Sequence, residues 1–184
     1  MFTIFKGGND GAWRVTSLSP VIGDTLPPVS SISVTHGAAI ALPLPPTAWH
    51  LAGRASHVRY VERSEKTALV SVQAGLGRPE ATRAALIPIR KNAAWWDLTQ
   101  EERRRIFEDK SRPIAGSMKY LPAIARQHYH CRDLGEPFDF LTWFEFSPEH
   151  ADAFEELVAT LRSTEEWSFV EREVDVRLER GLIS

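Results

Sequence analysis

The side chains in this sequence that could do chemistry fall into a few groups. In Ile124–Cys131 (IARQHYHC), Arg126, His128 and His130 are spaced two apart. A strand there puts all three on one face with Ile124. A guanidinium among aromatic strands is costly unless something anionic meets it. Arg126 is therefore either a binder of a small anion or an edge residue paired with Glu or Asp. His128 and His130 are either two metal ligands or polar residues near a strand end. Lys91, Trp95 and Trp96 form a second group. A lysine beside two aromatics can anchor a carboxylate at the mouth of an apolar pocket, or cover a packed Trp pair with its stem. Glu166, flanked by Glu165 and Trp167, is a candidate buried carboxylate. Gln73 is polar within an apolar stretch, TALVSVQAGLG.

The elements that position these groups are clearest after residue 84. Ala84–Lys91 is short, apolar and β-leaning. Thr99 with Glu102 three later is a capping box, and the helix it opens runs to about Lys110. A second helical piece is expected around Pro113–Tyr120. Ile124–Cys131 reads as a strand, Arg132–Pro137 as a turn, and Phe138–Phe146 (FDFLTWFEF) as its hairpin partner. Ser147-Pro148 then starts a helix. Its Phe154, Leu157, Val158 and Leu161 fall on one face. Ser168–Leu178 closes as a strand. The order β-α-β-β-α-β is the ferredoxin-like plan.

The first half is less regular. Strands are expected near 12–19, 49–61 and 2–6, with a helix near 64–74. Residues 20–47 hold Pro20, Pro27, Pro28, Pro43, Pro45 and Pro46, and read as a long loop with a short strand near Ser31–Thr35. Gly7-Gly8-Asn9-Asp10-Gly11 resembles a phosphate loop but lacks the Walker lysine and hydroxyl, so it reads as a turn between two strands. The expectation is an α+β protein of two fused halves, residues 1–83 (reduced) and 84–184, forming one unit.

Composition narrows the function classes. The 184 residues carry 22 basic and 24 acidic side chains, a net charge of −2. That balance argues against nucleic acid or an anionic membrane surface as partner. No apolar run reaches the roughly 20 residues of a membrane span, and no signal-peptide pattern is visible at the start. The single cysteine, Cys131, excludes an internal disulfide and a multi-cysteine zinc site. A cytoplasmic location is expected.

Several segments together resemble a chlorite dismutase of the short type. They are LIPIRK (86–91) with WW (95–96), YLPAIAR (120–126), YHCRDLGEPFDFLTWFEF (129–146) and TEEWSFVEREV (164–174). The upstream SHVRYVERSEK (56–66) and QAGLGRPEATRAALIP (73–88) fit as well. The resemblance implies two ferredoxin-like halves, a homodimer, one heme b in the C-terminal half, and conversion of chlorite to chloride and dioxygen. By the same resemblance, Arg126 matches the distal arginine, a fixed cation that can hold an anion. Gln73 matches a glutamine that hydrogen-bonds it. Glu166 matches the glutamate behind the proximal histidine, and Lys91 the lysine linked to that glutamate. Tyr60 matches a propionate contact, and Trp95 and Trp96 the tryptophans near heme and subunit interface.

One position departs from that pattern. The heme-ligating histidine aligns with Pro113, in SRPIAG, and proline has no donor side chain. Arg112 beside it is a cation and cannot bind iron. Three outcomes stay open. Heme is held by its faces and propionates alone with weak activity, or His128 ligates instead, or the chain is a heme-poor or heme-free homologue. A coproheme decarboxylase-like enzyme is a further reading on the same fold.

Overall fold

Strands alternate between two apolar environments, and that alternation explains the architecture. In β5 (Arg83–Lys91), Ala84 and Leu86 pack with Phe5, Trp13, Ile32, Leu51, Leu141, Trp143, Val174 and Val176. Ala85, Ile87 and Ile89, from the same strand, join Phe144, Phe154, Leu157 and Leu161 instead. A strand buried on both faces reads as a continuous apolar run, as this one does. The first cluster is the inside of a barrel and the second lies between barrel and helix.

The computed structural model describes residues 1–37, 47–55, 75–116 (110–116 as backbone only) and 123–181. The remaining strands are β1 (Phe2–Gly8), β2 (Trp13–Ile22), β3 (Ser31–Gly37), β4 (Trp49–Ala55), β6 (Ile124–His130), β7 (Phe140–Phe146) and β8 (Val170–Glu179). They close an antiparallel barrel in the order β1-β3-β2-β8-β5-β7-β6-β4, with β4 returning to β1. The first four strands lie side by side as β4-β1-β3-β2 and the last four as β8-β5-β7-β6. Both are the 4-1-3-2 order of a ferredoxin-like sheet, so the barrel is two such sheets joined edge to edge. In the first, only residues 9–12 link β1 to β2. Gly11 passes so close to β3 that an added Cβ would lie 2.4 Å from the Ile32 carbonyl. Only glycine fits that crossing, and the glycine-rich start is a connection between strands, as expected.

Three helices are described: α1 (Ala93–Asp97), α2 (Gln100–Gly116) and α3 (Ala151–Arg162). The Thr99–Glu102 box caps α2 as its sequence predicts: Glu102 accepts the Thr99 amide at 2.7 Å, and Thr99 Oγ1 accepts the Glu102 amide at 3.2 Å. The α3 stripe of Phe154, Leu157, Val158 and Leu161 is buried on the sheet, each side chain contributing about 1.5–3 kcal/mol of transfer free energy. No helix among the described residues is long and apolar enough to cross a membrane.

Two expectations are corrected. The 20–47 segment, expected as a loop with a short strand near Ser31–Thr35, holds the end of β2 and, where that strand was expected, the longer β3 (Ser31–Gly37) sandwiched between β1 and β2. The helix expected to stop near Lys110 runs unbroken to Gly116, with Pro113 inside it. The helix expected near 64–74 lies outside the described residues.

Candidate functional site

The outer face of the β5–β8 sheet gathers the polar residues named above. Register places Arg126 beside Phe144, His128 beside Thr142 and His130 beside Phe140, so the strand does carry Arg126, His128 and His130 on one face. That strand, β6, pairs with β7 along its length and with β4 at Tyr129 and His130. Burial lowers the Arg126 pKa, and the Glu166 carboxylate works against that shift. A guanidinium stays protonated through such a change near neutral pH.

Lys91 ends β5, where the pairing with β8 slips by one residue. Its amide donates to Asp139 Oδ2 at 2.7 Å, which fixes that end of the strand. Its Nζ lies 2.7 Å from Glu166 Oε1 and 3.7 Å over the centre of the Trp95 ring. Lys91 is 2% exposed and Glu166 6%, so this is a buried ion pair capped by an indole. Glu166 sits on a single 3-10 turn, Glu165–Phe169. The turn is pinned on three sides. Arg105 on α2 pairs with Glu165, the Phe169 carbonyl accepts the Asn92 amide, and the Trp167 indole donates to Glu173 Oε2 at 2.7 Å.

Trp95 and Trp96 are presented by α1. Asn92 Oδ1 accepts the Trp95 amide at its start, and Arg103 donates to the Trp95 and Trp96 carbonyls at its end. The Trp95 ring meets Phe107 and Phe169 edge-on. Trp96 stacks on Phe140 with the Arg132 guanidinium 3.5 Å from its centre, and Phe140 stacks in turn on His128. His128 Nδ1 lies 3.0 Å from Thr142 Oγ1. His128 and His130 meet edge-on at 6.0 Å between ring centres, and no group of three His, Cys, Asp or Glu among the described residues could hold a metal ion.

The structure therefore unites Lys91, Trp95, Glu166 and the field of Arg126, with Trp96 and His128 along the same face. Tyr60 and Gln73 lie outside the described residues. So does the side chain of Pro113, whose backbone is in the last turns of α2. Sequence reasoning missed Asp139, Arg132 and Phe140. The signal for Asp139 was an acidic residue between two phenylalanines in PFDF.

A family model described as Chlorite dismutase matches residues 27–179. The chain belongs to the chlorite dismutase family. The crystal structure of a dimeric chlorite dismutase from Nitrobacter winogradskyi is 65% identical, covering 97% of this chain and 99% of that one, with a TM-score of 0.88. A chlorite dismutase from Candidatus Nitrospira defluvii is 26% identical over 74% of this chain, with a TM-score of 0.60. The chain covers only 56% of that longer relative. A chlorite dismutase from Ideonella dechloratans is 35% identical over 83 residues, 27% of its length. The family thus includes members of this chain's size and much longer ones.

Proposed function

We propose that this protein is a homodimeric, heme-dependent enzyme that converts chlorite to chloride and dioxygen, slowed by the missing ligand at position 113. The observation that carries the reading is the buried Lys91–Glu166 pair under Trp95, with Arg126 in its field. Support for the dimer comes from the Nitrobacter relative, whose structure is described as dimeric. We assign the halves to residues 1–83 and 84–184, with the site in the second.

The residues fit a flat, apolar ring with anionic substituents. Trp95, Trp96 and Phe140 give the site aromatic, apolar walls, and Lys91, Arg126 and Arg132 give it positive charge. They do not complete a donor set for iron at the expected place, because Pro113 has no donor atom. Heme b, when bound, would supply the redox chemistry. The chain's own contribution is electrostatic. Lys91 and Glu166 form one ion pair, and the Arg126 guanidinium lies within the field of that carboxylate. A fixed guanidinium in a dry site holds a small oxyanion without reorganising, and its field is stronger there than in water. By resemblance, Gln73 would orient Arg126 and Tyr60 would meet a propionate.

Pro113 itself favours a second reading, a heme-binding or heme-free homologue without turnover. His128 as a substitute ligand would have to use Nε2, because Nδ1 faces Thr142. One series of measurements separates these readings: absorption spectra on hemin titration, then oxygen release on adding chlorite, for the natural chain, Pro113→His and Arg126→Ala. The enzyme reading expects hemin binding, slow oxygen release that Pro113→His raises at least tenfold, and its loss in Arg126→Ala. Hemin binding without oxygen release in the natural chain supports the second reading. A low-spin histidine-type spectrum that disappears in His128→Ala identifies that residue as ligand.

A further inference from the structure

The inside of the barrel is a separate chemical environment, on the opposite face of the sheet from Arg126. At one end it opens into a cavity of about 320 Å³, whose wall includes Trp13, Val34, Tyr129, Trp143, Glu145 and Gly77. Glu145 is 6% exposed. Its Oε2 accepts the Gly77 amide at 2.6 Å, and its Oε1 accepts the Trp143 indole at 2.9 Å. Among the described residues it makes no ion pair. Arg180, which stacks on Trp13 at 4.5 Å, donates to the carbonyls of Ala81 and Arg78 instead. His36, also in the wall, is bonded through Nδ1 to Thr3.

Burying a carboxylate is expensive, and two N–H donors offset only part of that cost. Each carboxylate oxygen has a second acceptor position, so Glu145 can take another donor. The rings around it add to its pull on a cation. Trp13 and Trp143 meet edge-on with centres 5.4 Å apart, and Tyr129 closes the box. Aromatic faces are negative and attract cations, most strongly where water is excluded. A small anion would be repelled. A metal ion would find one carboxylate where it needs several oxygen ligands. The volume is at the small end of ligand pockets, and barrel mouths are a recurrent place for them.

We propose that this cavity binds a small organic cation, with its ammonium group against Glu145 and its alkyl body against Trp13, Tyr129 and Trp143. The site is independent of the heme reading, and heme-free protein suffices to test it. Choline, propylammonium and the uncharged carbon isostere of choline, 3,3-dimethylbutan-1-ol, are titrated by calorimetry and by tryptophan fluorescence. At least one ammonium ion should bind saturably. The alcohol should bind at least about tenfold more weakly than choline if choline is that ion, since charge is what it lacks. Glu145→Gln should cost the cation at least tenfold. Val34→Phe fills the cavity and keeps the carboxylate, so it should abolish binding while near-UV circular dichroism stays native. Absence of saturation by either ammonium ion overturns the proposal. So does saturable choline binding that the alcohol matches, or undiminished binding of the cation in Val34→Phe.

Discussion

Removing either partner of the Lys91–Glu166 pair should destabilise the fold, but not equally. The atoms are 2.7 Å apart, and the two side chains are 0% and 8% exposed. Breaking a buried pair by deleting one partner costs about 3–5 kcal/mol, because a charge is left buried without compensation. The surroundings decide which end of that range applies. In Lys91→Met the remaining charge is Glu166, which still has Arg126 in its field. That loss should be near 3 kcal/mol. In Glu166→Gln both Lys91 and Arg126 lose the carboxylate whose field they share. That loss should be near 5 kcal/mol, or about 10–20 °C in Tm for a chain of this length. The double variant removes both charges of the pair and should recover at least about 2 kcal/mol relative to the sum of the singles. Urea unfolding of heme-free protein measures all four corners of the cycle. The reasoning fails if Lys91→Met costs as much as Glu166→Gln, or if the coupling is within about 0.5 kcal/mol of zero.

Other variants probe the frame around the site. Gly11→Ala places a methyl 2.4 Å from backbone that cannot yield, and should cost about 1–3 kcal/mol by thermal unfolding. Trp167→Phe deletes the 2.7 Å donor to fully buried Glu173, and should cost about 1–3 kcal/mol in urea unfolding. Burial alone would raise the Asp175 pKa, but hydrogen bonds from Arg177 and Arg162 outweigh it, so the folded value is lowered. The stabilisation is therefore present above the unfolded pKa and lost as pH falls through the folded one. Asp175→Asn should flatten that acid-side loss in unfolding curves recorded from neutral pH downward.

The second half of the fold was legible because its elements bury whole faces. The α3 stripe and the aromatic FLTWFEF strand carry their environment in their spacing. In the first half β3 was read shorter than it is, as Ser31–Thr35, because Ser31–Gly37 puts mainly small and polar residues on its outward face and prolines surround it. Pro20 lies within β2 beside a register shift, where a strand tolerates it. The helix expected to end near Lys110 passes through Pro113, although proline lacks the amide that an interior turn uses. Arg126, Lys91 and Glu166 were singled out from the sequence, but their meeting was not readable locally. Lys91 and Glu166 are 75 residues apart and joined only by the sheet. Asp139 escaped notice because its contact is to a backbone amide, which no side-chain pattern records.

The closed ring of strands also limits how copies of this chain can meet. An open sheet presents rows of unpaired backbone groups that recruit a neighbour's strand, in useful assembly or in aggregation. Here β4 returns to β1, and both ferredoxin-like sheets spend their borders on each other. Among the described residues, self-association therefore has to proceed through side chains of helices, loops and outer strand faces. Either half produced alone would have two raw borders and an uncovered apolar face. Such a fragment should be insoluble, and co-expression with the other half should rescue it.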